Sequence, residues 1–267
     1  MASVVELVHY PIKGCAGVSV SEAAMTPAGL RHDRSYLVID GDGAGRTQRR
    51  DPRLAAITPK VVGDRLLLGA RDADPVEVEG GDTEVPVTLF GSPYRGVDQG
   101  DAAAAWLTRY LGSPSRLVRV PADHDRVIDG PVPGTSGYAD SCPVHLLSRA
   151  SLDGLTERVL EHGGEPVGME RFRPNIVVDG WAEPNTEDRA LRVTIGDIEL
   201  AFNRPAIRCA VVLVDQFTGR RLGPEPLRTL ARYRRVPDGG VSFGAKYTVV
   251  RTGKVSVGDE VVVTEWA

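Results

Sequence analysis

Short apolar runs separated by turn residues fill the first half of the chain. Val4–Tyr10, Val18–Val20, Ser35–Asp40, Ile57–Val62, Arg65–Leu68, Val76–Val78 and Val85–Leu89 read as strands, with Gly, Pro or Asp between them. Pro11 ends the first run, and Gly41–Gly45 reads as a hairpin loop. Many short strands at this spacing predict a small barrel or sandwich.

The second half mixes periods. A helix is predicted over Ala102–Leu111, with Asp101 as its N-cap, followed by a strand at Leu117–Val120. Asp123–Thr135 is rich in Pro, Gly and Asp and reads as a linker or mobile loop. Pro143–Leu147 is a predicted strand running into Ser148, which can cap a helix. The spacing of Leu152, Leu155, Val159 and Leu160 gives that helix one apolar face. Strands are predicted at Phe172–Val178, at Leu191–Ile195 and Ile198–Phe202 around Gly196-Asp197, and along the β-branched run Ala210–Val214. Pro226 opens a short helix through Arg234, and Tyr247–Arg251 and Glu260–Thr264 close the chain as strands. The pattern is that of a β-rich α+β protein, with a domain boundary expected near residue 118.

Composition narrows the function more than the fold. At 267 residues, with 42% apolar and 25% charged residues and a mean hydropathy of -0.15, the chain can bury a core without staples. A formal charge of -4 offers no support for bulk nucleic-acid binding. Cys15, Cys142 and Cys209 are odd in number and far apart, which argues against a disulfide framework and suits a reducing cytoplasm. No C-x-x-C pair, H-E-x-x-H pattern, G-x-S-x-G elbow or Walker A sequence occurs. The opening MASVVELVHYPIKG lacks the layout of a secretory signal, and no apolar run is long enough to span a membrane.

Several residues carry possible chemistry. Cys209 in AFNRPAIRCAVVLVDQFTG could ligate a soft or high-valent metal as its thiolate, with Arg208 beside it favouring the anionic sulfur. A buried free cysteine packing as a small hydrophobe is the commoner situation. Arg171-Phe172-Arg173-Pro174-Asn175 would place Arg173 and Asn175 on one face of a strand, an Arg for phosphate and an amide for a heterocycle edge. Surface residues of a turn would look the same. Lys13 in the Pro11–Gly14 turn, Arg34 at a strand entrance and Ser141 in a loop could each meet a phosphate. The basic cluster GRTQRRDPR, Gly45–Arg53, reads as a solvated loop or as part of a mouth for an anionic cofactor or partner. Arg232-Tyr233-Arg234-Arg235 reads as an exposed helix end.

Taken as an ordered set, these residues resemble the MOSC-domain proteins, in the two-part form that pairs a MOSC β-barrel domain with an N-terminal MOSC-associated β-barrel domain. The mitochondrial amidoxime-reducing component and its bacterial counterparts are of this kind. The matching segments are Tyr10–Gly14, Gly29-Leu30 with His32-Asp33-Arg34, Asp51–Leu54, Phe172–Val178, Arg208-Cys209 with Val214-Asp215 and Thr218-Gly219, Glu225–Leu227, and Val257–Asp259. The resemblance implies domains at 1–118 and 119–267 and a molybdenum cofactor (molybdopterin). It places the metal-ligating, catalytic cysteine at Cys209 and the phosphate and pterin contacts at Lys13, Arg34, Ser141, Arg173, Asn175 and Arg208. Pyridoxal phosphate binding is also associated with the family. The implied activity is reduction of small N-hydroxylated compounds. Electrons would come from a separate protein: a ferredoxin, a flavin reductase or a cytochrome b5-like protein. No nucleic acid or membrane is implied as a partner. A non-catalytic cofactor carrier or sulfur-handling module is the alternative. The chain departs from the family's usual pattern at Ile207, at Val211-Val212-Leu213, and at Lys246, where Phe-Gly-x-Tyr is frequent. If Lys13, Arg34, Arg173 and Cys209 serve one anion, the site must lie between the two halves.

Overall fold

Alternating buried and exposed positions build one large sheet that draws on both ends of the chain. The computed structural model describes residues 1–63, 65–237 and 239–267. In this sheet the strands lie in the order Val18–Val20, Ser3–His9, Ile176–Asp179, Val144–Ser148, Val241–Arg251, Ile198–Arg208, Ala190–Ile195 and Val261–Trp266. All neighbours are antiparallel except Val144–Ser148 with Ile176–Asp179. One face buries Leu7, Leu146, Ile176, Leu200 and Tyr247. Against another cluster, holding Leu147, Phe172 and Phe243, pack the helices Arg149–Glu161 (α1) and Leu227–Tyr233 (α2) through Leu155, Val159 and Leu230. Glu22–Thr26 pairs with Gly253–Ser256, so the two chain ends interlock a second time.

Residues between these interlocked ends form a separate cluster of sheets. Tyr36–Asp40, Ser115–Arg119, Ser92–Asp98 and Glu84–Leu89 make one; Thr58–Val62, Arg65–Ala70 and Ala73–Glu77 make another. The helix Asp101–Leu111 covers Leu54, Leu66 and Leu117 with Trp106 and Leu107.

The β-rich α+β class holds, but the expected closed barrel does not form as a continuous ladder among the described residues. The large sheet's ends meet only at one bridge, Ser3 with Glu260, flanked by Val4 N donating to Asp259 O and Val261 N to Ala2 O, each 2.9 Å. The reason is competition for an edge: beyond Val4 the free side of the first strand is taken by Val18–Val20, which pairs at Leu7 to His9.

Other expectations met mixed outcomes. Ser148 caps its helix, accepting from Ser151 N. Asp101 is instead the first residue of its helix, after Gly100. Ala210–Val214 is not a strand: Cys209 O accepts from Val212 N at 3.2 Å and starts a 3-10 turn over Ala210–Leu213. Phe172–Val178 is shortened to Ile176–Asp179, because Arg173 takes φ 58° and Pro174 has no N–H to give a ladder. The strand expected at Tyr247–Arg251 starts earlier, at Val241, and runs through Gly244.

Candidate cofactor site

A cavity of about 350 Å³ opens where the two halves of the chain meet. Lys13 and Arg34 line it from one side; Ser141, Arg173, Arg208 and Cys209 line it from the other. Of the expected site residues, Asn175 alone stands outside the lining. Its amide is fully used: Oδ1 accepts from Arg34 Nη1 at 3.0 Å and from His145 N at 3.1 Å, and Nδ2 donates to Asp33 Oδ1 and Val8 O. It orients Arg34 and ties together segments from both halves. The shared-strand geometry expected for Arg173 and Asn175 is absent, since both lie in the loop before Ile176. Arg171 turns away, donating to Val212 O and Glu225 O.

The cations are held in fixed places. The Lys13 turn is pinned by Lys13 N donating to Tyr36 O at 2.8 Å. The Lys13 ammonium is buried and paired with Asp140. Burial lowers its pKa although Asp140 opposes the shift. Burial would raise the Asp140 carboxyl, but Lys13 beside it prevails and holds it well below the usual carboxylate range. Arg34 and Arg173 both lie over the ring of Tyr10, at 4.4 and 4.1 Å from its centroid. Burial alone would lower the Arg34 pKa, yet Asp33 at 2.6 Å raises it. Arg173 has no carboxylate contact among the described residues; Nη1 donates to Gln216 Oε1 at 3.0 Å, and burial lowers its pKa. Both arginines sit at positive φ, 46° and 58°, a conformation that marks a constrained site.

The three cysteines separate cleanly. Cys15 is buried in the core cluster around Leu54, and burial pushes its thiol up to about 12. Cys142 is buried at the cavity wall, with its pKa also raised by burial. Cys209 is half-exposed, at the end of the Ile198–Arg208 strand, and faces the cavity. Arg208 next to it donates Nη2 to Phe172 O at 2.9 Å, and burial brings its pKa down to about 10.

Two buried guanidinium nitrogens, Arg173 Nη2 and Arg208 Nε, have no hydrogen-bond partner. Leaving such donors unmatched is costly, so they call for an acceptor in the cavity. The lining adds Arg204 and Lys246 to the positive charges, against Asp140. Burial, reinforced by Arg34 and Arg208, brings the Lys246 ammonium pKa down to about 7. No group of three or more His, Cys, Asp or Glu suited to a metal gathers among the described residues. The cavity therefore suits an anion, with the half-exposed Cys209 side chain at its wall.

Sequence reasoning missed the residues that clasp the halves. Gln48 and Gln216 are buried and exchange amide hydrogen bonds, 3.0 Å each way, and Gln48 Nε2 also donates to Gly14 O at 2.7 Å. Nothing in either local sequence marks them; their partners are 168 residues apart. Tyr10 was legible only as the end of a strand, although its ring is the platform for two arginines.

The fold sets a cationic, thiol-bearing cleft between interlocked halves. The chain belongs to the MOSC family in its two-part form: residues 1–114 match the MOSC N-terminal beta barrel domain and residues 133–262 match the MOSC domain. It is similar to mitochondrial amidoxime reducing component 2 of Rattus norvegicus, 36% identical over 94% of this chain and 80% of the relative. It is also similar to mitochondrial amidoxime-reducing component 1 of Homo sapiens, 35% identical over 98% and 82%.

Proposed function

We propose that the protein is a molybdenum-cofactor-dependent reductase of N-hydroxylated compounds. The observation that carries this reading is the pair of orphaned buried guanidinium atoms on Arg173 and Arg208 beside the half-exposed Cys209. The donor set fits the cofactor: cations for its phosphate, and a single soft thiolate for a metal already held by a dithiolene. In this reading Lys13, Arg34 and Arg173 bind the phosphate and pterin, Ser141 offers a hydroxyl, Arg208 balances the thiolate charge, and Asn175 acts through Arg34. Cys209 supplies the protein's one metal ligand. When bound, the cofactor supplies the two-electron redox chemistry. Overall, two electrons and two protons convert an N–OH group to N–H and water, the N–O bond breaking. The electrons come from a separate redox protein. The three unpaired cysteines suit a reducing compartment, and we place the protein in the cytoplasm. None of the described helices is long and apolar enough to cross a membrane.

The test uses protein from a cofactor-competent host. Molybdenum per chain, X-ray absorption at the molybdenum edge and benzamidoxime reduction by a chemical reductant are measured for wild type and for Cys209→Ser, Cys15→Ser and Cys142→Ser. Only Cys209→Ser is expected to lose a sulfur ligand and the activity. Retention of both in that variant overturns the assignment. A wild-type protein that holds molybdenum but reduces nothing supports the carrier reading instead.

A further inference from the structure

The basic cluster at Gly45–Arg53 is not absorbed by the cofactor site. Arg49 reaches the cavity lining, but Arg50 is exposed and away from it. The structure brings a second basic loop to the same place. Gln216 clasps Gln48, Arg221 donates to Arg49 O, and Gly219 packs against the backbone of Pro52 and Arg53. Arg49, Arg50, Arg220 and Arg221 thus share one exposed rim beside the cavity, which Arg49 reaches, and none of them is ion-paired among the described residues. The rim's carboxylates are engaged: Asp51 with Arg46 at 3.0 Å, and Asp215 with the amides of Phe217 and Thr218. A concentrated positive face on a chain of net charge -4 is a local feature rather than a bulk one.

Two aromatic rings stand on this rim. Phe217 is 76% exposed. Phe90, 50% exposed, lines the cavity mouth between Lys13 and Arg49, whose cationic groups lie 4.9 and 5.3 Å from its ring centroid. Its φ of 53° belongs to the two-residue turn Phe90-Gly91 that joins paired Leu89 and Ser92, so the ring stands at a hairpin tip. There it is half-exposed and backed by two cations. Arginines with exposed aromatics are the residue types that anchor protein interfaces.

We propose that this rim docks an acidic electron-transfer protein, with Phe90 and Phe217 as apolar anchors inside the arginine field. The inference rests on the reductase reading for the partner's role. The charge sets the partner's sign, and the mouth of the cofactor cavity is where a donor's redox group must arrive. Each N–O bond broken takes two electrons, so a one-electron donor docks twice per turnover, each donor molecule being oxidised by one electron. Nucleic acid is disfavoured by the small size of the patch on an otherwise acidic molecule, and stacking of bases on the exposed rings is an outcome the test covers.

Among the described residues Arg50 and Arg220 make no side-chain hydrogen bond or ion pair, and they lie outside the proposed cofactor site, so Arg50→Glu/Arg220→Glu should fold and load normally. Benzamidoxime reduction is followed with two acidic donors, a plant-type [2Fe–2S] ferredoxin and a cytochrome b5, each over a range of concentrations and at low and physiological salt. Binding of each donor is titrated separately by fluorescence anisotropy. The variant is expected to need at least about tenfold more donor for half-maximal rate, with its rate from reduced methyl viologen unchanged. Salt should weaken donor use by wild type and have little effect on the variant. Phe217→Ser should weaken binding at both salt concentrations. The proposal is overturned if neither donor binds wild type, if both bind the charge-reversed variant equally well, or if a labelled oligonucleotide binds wild type as tightly as the donors do. If wild type binds a donor through the rim but reduces no benzamidoxime even with methyl viologen, docking stands and the reductase reading fails.

Discussion

Arg173 concentrates several demands in one residue. It is buried, left-handed in backbone, stacked on Tyr10 and one donor short of satisfaction. Arg173→Ala should weaken retention of the molybdenum cofactor by on the order of 2 kcal/mol, and Arg173→Lys should recover only part, because the planar fork is lost. Molybdenum content after gel filtration checks this; equal occupancy in wild type and Arg173→Ala would count against the role. Lys246 leads to a different measurement. A lysine whose folded pKa falls to about 7 penalises the folded state wherever the unfolded chain holds the proton and the folded one resists it. That penalty is complete below the folded pKa and fades as pH rises toward the ordinary lysine value. Lys246→Met should therefore stabilise the cofactor-free protein by on the order of 1–3 kcal/mol near pH 6, with the gain shrinking near pH 10. Urea midpoints at the two pH values test the sign. At this scale the sequence was informative where chemistry is local: Arg208 and Cys209 are neighbours and could be read together. Asn175 was legible as a site residue but not in its manner of acting, because its partners, Val8, Asp33, Arg34 and His145, come from distant segments.

At the scale of elements, the clasp between the Gly45–Arg53 segment and the Asp215–Leu222 loop sets the shape of the cavity mouth. Gly219 makes the close approach possible: its φ is 65°, and an added Cβ would lie 2.8 Å from Arg53 Cα. Gly219→Ala should destabilise the protein by about 1–3 kcal/mol, while Gly223→Ala, with nothing near its added Cβ, should change little. Thermal unfolding of the two variants distinguishes a clasp from a generic glycine effect. Hydrophobic pattern found most of the strands, and it failed where composition and geometry diverge. Ala210–Val214 is β-branched and apolar like a strand, yet only Val212 and Val214 are buried, and the turn begins on Cys209 O. The strand expected at Tyr247–Arg251 begins six residues earlier and passes through Gly244, where an added Cβ would lie 2.5 Å from His145 Nε2.

At the scale of the molecule, the division we propose near residue 118 is a division of sequence more than of pairing. Ser3–His9 lies between Val18–Val20 and Ile176–Asp179, and Glu22–Thr26 lies against Gly253–Ser256. A fragment of residues 119–267 would expose the Ile176–Asp179 edge and lose the apolar partners of Leu146 and Ile176. It should be poorly folded alone and recover native amide dispersion only when co-expressed with residues 1–118; a well-dispersed NMR spectrum of the lone fragment would contradict this. Charge and strand content were legible over the whole chain, but the interlocking was not, because periodicity within a strand carries no information about a partner more than a hundred residues away.

The same interlocking imposes an order on synthesis. The first strand leaves the ribosome with one flank destined for residues that emerge only after on the order of ten seconds at ordinary elongation rates. Meanwhile the sheets and helix between Tyr36 and Arg119 have their pairing partners at hand. Lys13 and Arg34 are made early, Cys209 late, and Lys246 later still, on a strand that joins the sheet only when nearly the whole chain has been translated. A nascent chain therefore has no pocket to offer, and the proposed cofactor would have to enter after the last strands of the sheet have joined.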